Sequence, residues 1–362
     1  MPTFNKHSIL YTTLARGLSM KRPHNTPSVD FFTQWLWQEL PVHLAERAFL
    51  DDCDNLHVDN RHDGDSKTLF IAHVDTVHRE TGANKIRKTD THWHANGAPL
   101  GADDGAGCAM LMHLIHNDVA GYYIFSQGEE CGGIGAKYIA DKYATLLGEF
   151  DRAIAFDRRG IDSVITHQGW GRCCSDAFGQ ALSDALNADE RMMYLPDDSG
   201  VYTDTAEFVD IIPECTNISV GYAREHSEHE SLDIQHFIAL SEAVLNVPWD
   251  SLPISRKAGE VEDKYQGSVY GRSNWWLSSA DDDMLGTGIL QDALTDAEFG
   301  WPDELLWLAA ESVYPEDPEF ALKFLDKKKC TPKAIKRWQE LAETHDMDSV
   351  LATVFDTLHM PQ

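Results

Sequence analysis

Two glutamates, Glu129 and Glu130, stand side by side in SQGEECGGIG (126–135), at the end of an apolar run, GYYIF. Adjacent carboxylates repel, so a strand end that keeps both needs a reason to do so. Similar polar groups recur at four other junctions: His73 and Asp75 in AHVDTV, Asp103 and Asp104 in LGADDGAG, Asp157 in AFD, and His226 in HSEHE. Gathered on one edge of a sheet, two imidazoles and this many carboxylates would repel one another strongly, and divalent cations would resolve the repulsion. Mixed histidine and carboxylate donors suit zinc first, with manganese or cobalt as substitutes. Two such ions about 3.5–4 Å apart share a carboxylate and clamp a water between them. A water that attacks a carbonyl needs a general base within reach. Neighbouring residues at a strand end point in different directions, so one glutamate can face a metal while the other faces water and substrate. The glycines around them allow a sharp turn and a close approach of substrate.

Such groups need a scaffold that ends several strands in one place. TLFIAHVDTV (68–77), GYYIFSQGEE (121–130) and FDRAIAFDRRG (150–160) are apolar runs that break into polar residues, as buried strands do where loops begin. CTNISVGYAREHSEHE (215–230) behaves the same way. AFLDDCDNLHV (48–58) reads as a strand pair around an acidic turn, and DTHWHANG (90–97) alternates like a hairpin strand. Helical patterns lie between them: TPSVDFFTQWLWQEL (26–40) with Thr26 or Ser28 as cap, GAGCAMLMHLIHN (105–117), GAKYIADKYATLL (135–147), SDAFGQALSDALNADE (175–190) capped by Ser175, and SLDIQHFIALSEAVLNV (231–247). This alternation predicts an α/β fold with a mostly parallel sheet covered on both faces, and sites at its strand ends. The polar, glycine-rich stretch 250–272 marks a boundary. Beyond it, PDELLWLAAESVY, PEFALKFLDKKK and TPKAIKRWQELAETH read as short helices. The expected organisation is a catalytic domain over 1–255 and a small all-α domain over 265–362, with Trp275, Trp276, Trp301, Trp307 and Trp338 as the smaller domain's core.

The 362 residues carry a formal net charge of −29. That field repels nucleic acid and anionic membrane, which excludes both as partners, and attracts cations and amine-bearing substrates. No stretch approaches the roughly 20 apolar residues of a membrane span. The opening MPTFNKHSILYTTLARGLSMKRPHN lacks the apolar centre of a secretory signal. Seven scattered cysteines, an odd number, do not make a disulfide framework. A reduced, cytoplasmic protein is expected.

The motifs AHVDTV (72–77), LGADDGAGCA (100–109), GEECGGIGA (128–136), AFD (155–157) and HSEHE (226–230) resemble, in order and spacing, those of the co-catalytic dinuclear zinc exopeptidases, a clan of aminopeptidases and carboxypeptidases. The resemblance covers residues 45–247 and implies a phosphorylase/hydrolase-like three-layer sandwich around a mixed, mostly parallel sheet. It also implies a role for each residue. His73 and Asp157 would bind the first of two zinc ions, Glu130 and His226 the second, and Asp103 would bridge them. Asp103 is preferred to Asp104 because Gly107 and Ala109 follow it at the family's spacing, and His226 to His229 because His-Ser-x-x-Glu begins there. Asp75 would hydrogen-bond and orient His73. Glu129 would be the general base. Tyr202, Asp204 and Glu207 fall where relatives line the substrate site, with Asp204 expected close to the metals. The interval from Asp157 to His226 leaves no room for a separate dimerisation domain, nor that from Asp75 to Asp103 for a barrel-like insert.

The implied activity is an aminopeptidase's: removal of N-terminal residues from peptides through a metal-bridging water and a glutamate base. An alternative on the same site is a carboxypeptidase, dipeptidase or N-acyl amino acid deacylase, which must hold an α-carboxylate; Arg158, Arg159, Arg172 and Arg224 are candidates for that task. A further alternative is a non-catalytic metal-binding assembly protein. The expected partners are a peptide substrate and, as an open alternative, further copies of the chain. Other polar residues receive ordinary roles. Asp104 caps a helix, His92 and His94 sit on an exposed hairpin, His113 and His116 pack on a helix, Cys131 is a small buried thiol, and Cys173–Cys174 is packing.

Overall fold

The computed structural model describes residues 4–168, 171–260, 353, 354 and 357. The chain divides into two units, Met1–Glu262 and Asp263–Gln362. The expected helical domain over 265–362, with its five tryptophans, lies outside the described residues, apart from Thr353, Val354 and Thr357, which are helical.

Runs rich in β-branched and aromatic residues build the central sheet of the first unit. Its strands are β1 (Phe49–Leu50), β2 (Leu56–Asn60), β3 (Thr68–His73), β4 (Gly121–Ser126), β5 (Arg152–Arg158), β6 (Ser163–Ile165), β7 (Leu195–Asp197) and β8 (Glu214–Ser219). They lie in the order β7-β6-β8-β5-β3-β4-β2-β1. The central strands β8, β5, β3 and β4 are parallel neighbours, as are β6 and β7. β2 runs antiparallel to β4, β1 to β2, and β6 to β8. The sheet is therefore mixed and mostly parallel.

Side chains of β3 alternate between two apolar cores. Leu69 and Ile71 enter one, Phe70 and Ala72 the other. A strand buried on both faces needs no polar alternation, which is why TLFIA reads as a continuous apolar run. One face is covered by α1 (Ile9–Leu18), α2 (Pro27–Gln38), α3 (Ala102–His116), α5 (Asp176–Leu186) and α6 (Ile234–Ala243), the other by α4 (Ile134–Lys142). Full burial of residues such as Phe70 and Phe156 contributes about 1.5–3 kcal/mol each. The three-layer α/β sandwich matches the expected fold class. No helix among the described residues is long and apolar enough to cross a membrane.

Because β3, β4 and β5 run in one direction, their C-terminal ends reach one edge of the sheet. A four-stranded antiparallel sheet, made of Ile86–Lys88, His92–Ala95, Tyr222–Ala223 and Ser231–Asp233, lies beyond. Two of its strands pair across the 224–230 loop, which carries His226 and Glu230. His92 and His94, expected on an exposed hairpin, are half-buried and stacked with ring centres 6.1 Å apart.

Candidate metal centre and active site

β3 ends on His73, and the chain then turns inward at Asp75, which is fully buried. The Asp75 carboxylate was expected to hydrogen-bond His73. Its nearest oxygen lies 3.5 Å from His73 Nδ1, a charge contact longer than a hydrogen bond, and that nitrogen has no hydrogen-bond partner among the described residues. The same carboxylate also accepts three backbone bonds. Oδ1 accepts from Gly128 N (2.8 Å) and Glu129 N (3.2 Å), and Oδ2 from Glu130 N (3.3 Å). One carboxylate thus faces His73 and pins the turn that presents both glutamates. That turn, Glu129–Cys131, is flanked by Gly128, Gly132 and Gly133, all at positive φ. A side chain at Gly133 would put its Cβ 1.7 Å from the Tyr202 hydroxyl, so the turn packs directly on Tyr202. Cys131 was expected to be buried; it is exposed, because the turn places it on the outer side of the loop.

Asp103 and Asp104 open α3, joined by a cis peptide bond. Asp104 Oδ1 accepts from Gly107 N (2.8 Å), the expected cap, and Oδ2 accepts from His73 N (3.2 Å). A Cβ at Gly107 would lie 2.3 Å from that carboxylate, which explains the small residues at this helix start. The backbone before the helix is held by Glu230, which is buried. Its oxygens accept from the N–H groups of Leu100 (2.8 Å), Gly101 (3.1 Å), Ala102 (2.7 Å) and Asp103 (3.3 Å). Asp157, near the end of β5, is fixed twice over. Its Oδ1 accepts from Tyr222 (3.0 Å) and its Oδ2 from Thr203 (2.6 Å), while Asn217 bonds both its backbone N–H and C=O. His226 adopts φ 61°, a left-handed conformation that side-chain-bearing residues rarely take.

These elements bring the predicted groups together. His73 Nε2 lies 3.1 Å from Asp103 Oδ1 and 3.6 Å from Asp157 Oδ1. His226 Nε2 lies 3.0 Å from Asp103 Oδ2 and 3.2 Å from Glu130 Oε2. Two triads result, His73–Asp103–Asp157 and Asp103–Glu130–His226, each with donor atoms within 4.8 Å of one another. They share Asp103, one oxygen to each. Tetrahedral zinc with bonds of about 2.0–2.1 Å sets its donors about 3.3 Å apart, so the observed spacings fit one ion per triad. Glu130 Oε1 is buried without a hydrogen-bond partner among the described residues, a further sign that the donor set suits a cation. Glu129 belongs to neither triad; its Oε2 is 3.9 Å from His73 Nε2.

The electrostatics agree with a site built for positive charge. Hydrogen bonds to Asp103 and Glu130 push His226 up to about 11. Burial opposes the His73 imidazolium, but Asp103, Asp157 and Asp75 outweigh it and hold its pKa well above the ordinary value. Burial, reinforced by Asp103, raises Asp157 to about 6. Burial also raises Glu129 well above the usual carboxylate range, and Asp157, Asp204 and Asp103 add to the effect. Arg22, itself fully buried, donates to the carbonyls of Val74 and Gly17 and brings positive charge near Asp75, Asp104 and Glu230.

A cavity of about 300 Å³ opens over the cluster, lined by Asp103, Glu129, Asp157 and His226 and also by Arg158, Arg159, Tyr202 and Glu225. Tyr202 thus lies at the cavity, its hydroxyl donating to Glu207 Oε1 (3.0 Å). Asp204 lies behind the cluster: it is buried, accepts from Ser126 Oγ, and is raised to about 7 by burial. Of the supporting groups, Glu230, Thr203, Tyr222 and Asn217 were not singled out from the sequence. Only Glu230 carried a signal, as the last residue of HSEHE.

No protein-family model matches the sequence, and no curated protein matches it. Solved structures do. The chain is similar to the aminopeptidase PepT from Bacillus cereus, with a TM-score of 0.54 and 13% identity over 68% of this chain and 98% of the other. A tripeptidase from Staphylococcus aureus gives 0.53 and 14% over 68% and 98%. The Pyrococcus horikoshii TET1 peptidase, which can assemble into a tetrahedron or a large octahedral shell, gives 0.51 and 13% over 66% and 99%. At these identities the likeness establishes a shared fold.

Proposed function

We propose that this chain is a dinuclear metal-dependent exopeptidase, an aminopeptidase that removes N-terminal residues from peptides. The observation that carries the reading is the pair of triads sharing Asp103, with Glu129 beside them, at the base of a cavity. The likeness of the fold to three peptidases supports it. Two divalent cations, zinc by the chemistry of the donors, would supply Lewis-acid polarisation of the scissile carbonyl and a more acidic water. His73 and Asp157 would hold the first, Glu130 and His226 the second, and Asp103 would serve both.

Glu129 takes a proton from the attacking water and returns it to the leaving amine. Asp75 fixes the angle between Glu129 and Glu130 through their backbone. Tyr202 buttresses the turn from the cavity side. Recognition of an ammonium group is supported by the carboxylates that line the cavity, Asp103, Glu129, Asp157 and Glu225, four against the two guanidinium groups. Arg158 and Arg159 also line the cavity, which is the observation favouring a carboxypeptidase, dipeptidase or deacylase. Both guanidinium groups are engaged, however: Arg159 with Glu225 (3.0 Å) and Arg158 with Ser199 (3.0 Å). A free amine therefore fits better than an α-carboxylate. The catalytic domain is assigned to 1–255, and the cysteines without disulfides among the described residues fit a cytoplasmic location.

The test is Glu129→Gln. It is expected to retain two metal ions per chain by elemental analysis while turnover on free-amine peptides falls about 10²–10⁴-fold. Full activity in that variant would remove Glu129 from the role.

A further inference from the structure

The acidic turn between β1 and β2 takes no part in the chemistry, yet it grips the segment that carries both glutamates. Residues 128–134 form a loop whose neck is Gln127 and Gly135, joined by a bond from Gly135 N to Gln127 O (2.7 Å). Asn55, fully buried in the acidic turn, holds both sides of that neck. Its Oδ1 accepts from Gln127 N (2.9 Å), and its Nδ2 donates to Gly135 O (3.4 Å). A Cβ at Gly135 would lie 2.2 Å from Asn55 Oδ1, so neck and amide are in direct contact. The same Nδ2 donates to Asp51 Oδ2 (2.8 Å), while Asp51 Oδ1 accepts from Cys53 N (2.8 Å) and Asn55 N (3.0 Å). The amide therefore has one orientation. Its oxygen meets a backbone N–H, and its nitrogen meets a carboxylate and a carbonyl, which only accept. Burial works against the Asp51 carboxylate, but bonds from His57, Asn55 and Cys53 outweigh it and keep its pKa below the ordinary value. Gln127 ties the neck a second time, with Nε2 donating to Asp54 O (3.0 Å) and to Thr33 Oγ1 (3.2 Å).

Resting on the peptidase reading above, we infer that Asn55, oriented by Asp51, is a positioning residue that fixes the ends of the 128–134 loop, so that Glu129 meets the attacking water and Glu130 the second metal. Asn55 takes no part in lining the cavity and acts through the loop's backbone. Asp75 holds the same loop at Gly128, Glu129 and Glu130. A loop held there alone can rock about that point, and tying its ends removes the freedom. A general base works only within hydrogen-bond reach of its proton, and a misplacement of about 1 Å can cost about 10²-fold in rate.

The test compares the full-length wild type with Asn55→Ala, and with Asp51→Asn, which keeps its shape and serves if Asn55→Ala fails to fold. Turnover of trialanine is measured with zinc, well below the Tm of each variant. The expected result is a kcat about 10–100-fold lower with KM nearly unchanged. Calorimetric titration of zinc into the metal-free chains reads the other glutamate without turnover. One of the two ions is expected to bind about 10–100-fold more weakly. A lower kcat or a weakened ion upholds the inference. A lower Tm with kcat and both zinc affinities unchanged makes Asn55 a stabilising bond only; it overturns the inference and leaves the peptidase reading standing. A weakened ion in a protein whose wild type cleaves no peptide upholds the grip on Glu130 and overturns the peptidase reading. No cleavage and unchanged zinc binding overturn both.

Discussion

Glu129 and Glu130 are neighbours in sequence and part company in space. Glu130 Oε2 meets His226 at 3.2 Å, while Glu129 Oε2 stands 3.9 Å from His73. The divergence comes from a glycine-flanked turn held by Asp75. At this scale Asp103 is the residue on which both triads depend, since each of its oxygens faces a different histidine. Asp103→Asn keeps the shape and removes the charge. It is expected to lower bound metal from two ions per chain to one or none, measured by elemental analysis after dialysis; two ions retained would contradict a shared ligand. The grouping of His73, Asp103, Glu130, Asp157 and His226 was legible because these polar groups fall where apolar runs break, in motifs whose order and spacing resemble those of a known clan. The backbone role of Asp75 was not, because sequence shows which groups are near but not which hydrogen bonds they complete. Cys131 misled for a related reason: a thiol is usually buried, and only the path of the turn turns it outward.

At the scale of elements, the site rests on segments that do no chemistry. Glu230 joins the 224–230 loop to the start of α3 through four backbone N–H groups. Glu230→Ala would leave those donors unpaired, and hydrogen bonds to a charged group are worth about 1.5–3 kcal/mol each before relaxation. A fall in metal affinity of about 10–100-fold is expected, with a lower Tm, because Asp103 and His226 both lose their anchor. Competition with a coloured chelator would measure it, and unchanged affinity would show that the loop holds itself. Gly133 gives a second case. Gly133→Ala must place its Cβ on the Tyr202 hydroxyl at φ +68°, so turnover should fall at least tenfold, on the order of 1.4 kcal/mol. Tyr202→Phe in that background should restore part of it. The alternation of strands and helices was readable from apolar runs, and Ser175 as a cap was readable from its type; its Oγ accepts from Phe178 N. The strand order was not readable. Nothing local tells that β2 joins antiparallel beside β4, because pairing is decided by which faces remain to be covered. α3 reads as a small-residue helix start with an apolar stripe, but its burial runs almost all the way round, from Ala102 to Met112 and at Leu114 and Ile115.

For the whole molecule, stability should depend on pH through groups that belong to neither triad. His236, on α6, packs against Tyr194 with Nε2 2.9 Å from the hydroxyl, and burial lowers its pKa to about 4. The Tyr194 hydroxyl donates to Ser219 O, so His236 is the donor and is neutral in the fold. An unfolded histidine titrates near 6.5. Below that pH the unfolded chain takes up a proton that the folded chain refuses. The contribution is therefore complete above about pH 6.5 and is lost as pH falls towards 4, by about 2–3 kcal/mol at pH 4.5. Denaturant unfolding of wild type and His236→Asn at pH 7 and 4.5 should show the wild type losing more by that amount; parallel losses would contradict it. The charge of −29 belongs to this scale as well. It favours amine-bearing substrates over acidic ones, and the rate advantage should shrink as salt rises.

The central claim is a metal-dependent cut at a free N-terminus. The most direct measurement mixes free-amine and N-acetylated peptides with the full chain, with zinc or with chelator, and reads the products by mass spectrometry. The account predicts stepwise loss of N-terminal residues from the free-amine peptides alone, abolished by chelator and restored by zinc. Cleavage from the C-terminus, release of acetyl groups, or cutting that chelator does not touch would contradict it.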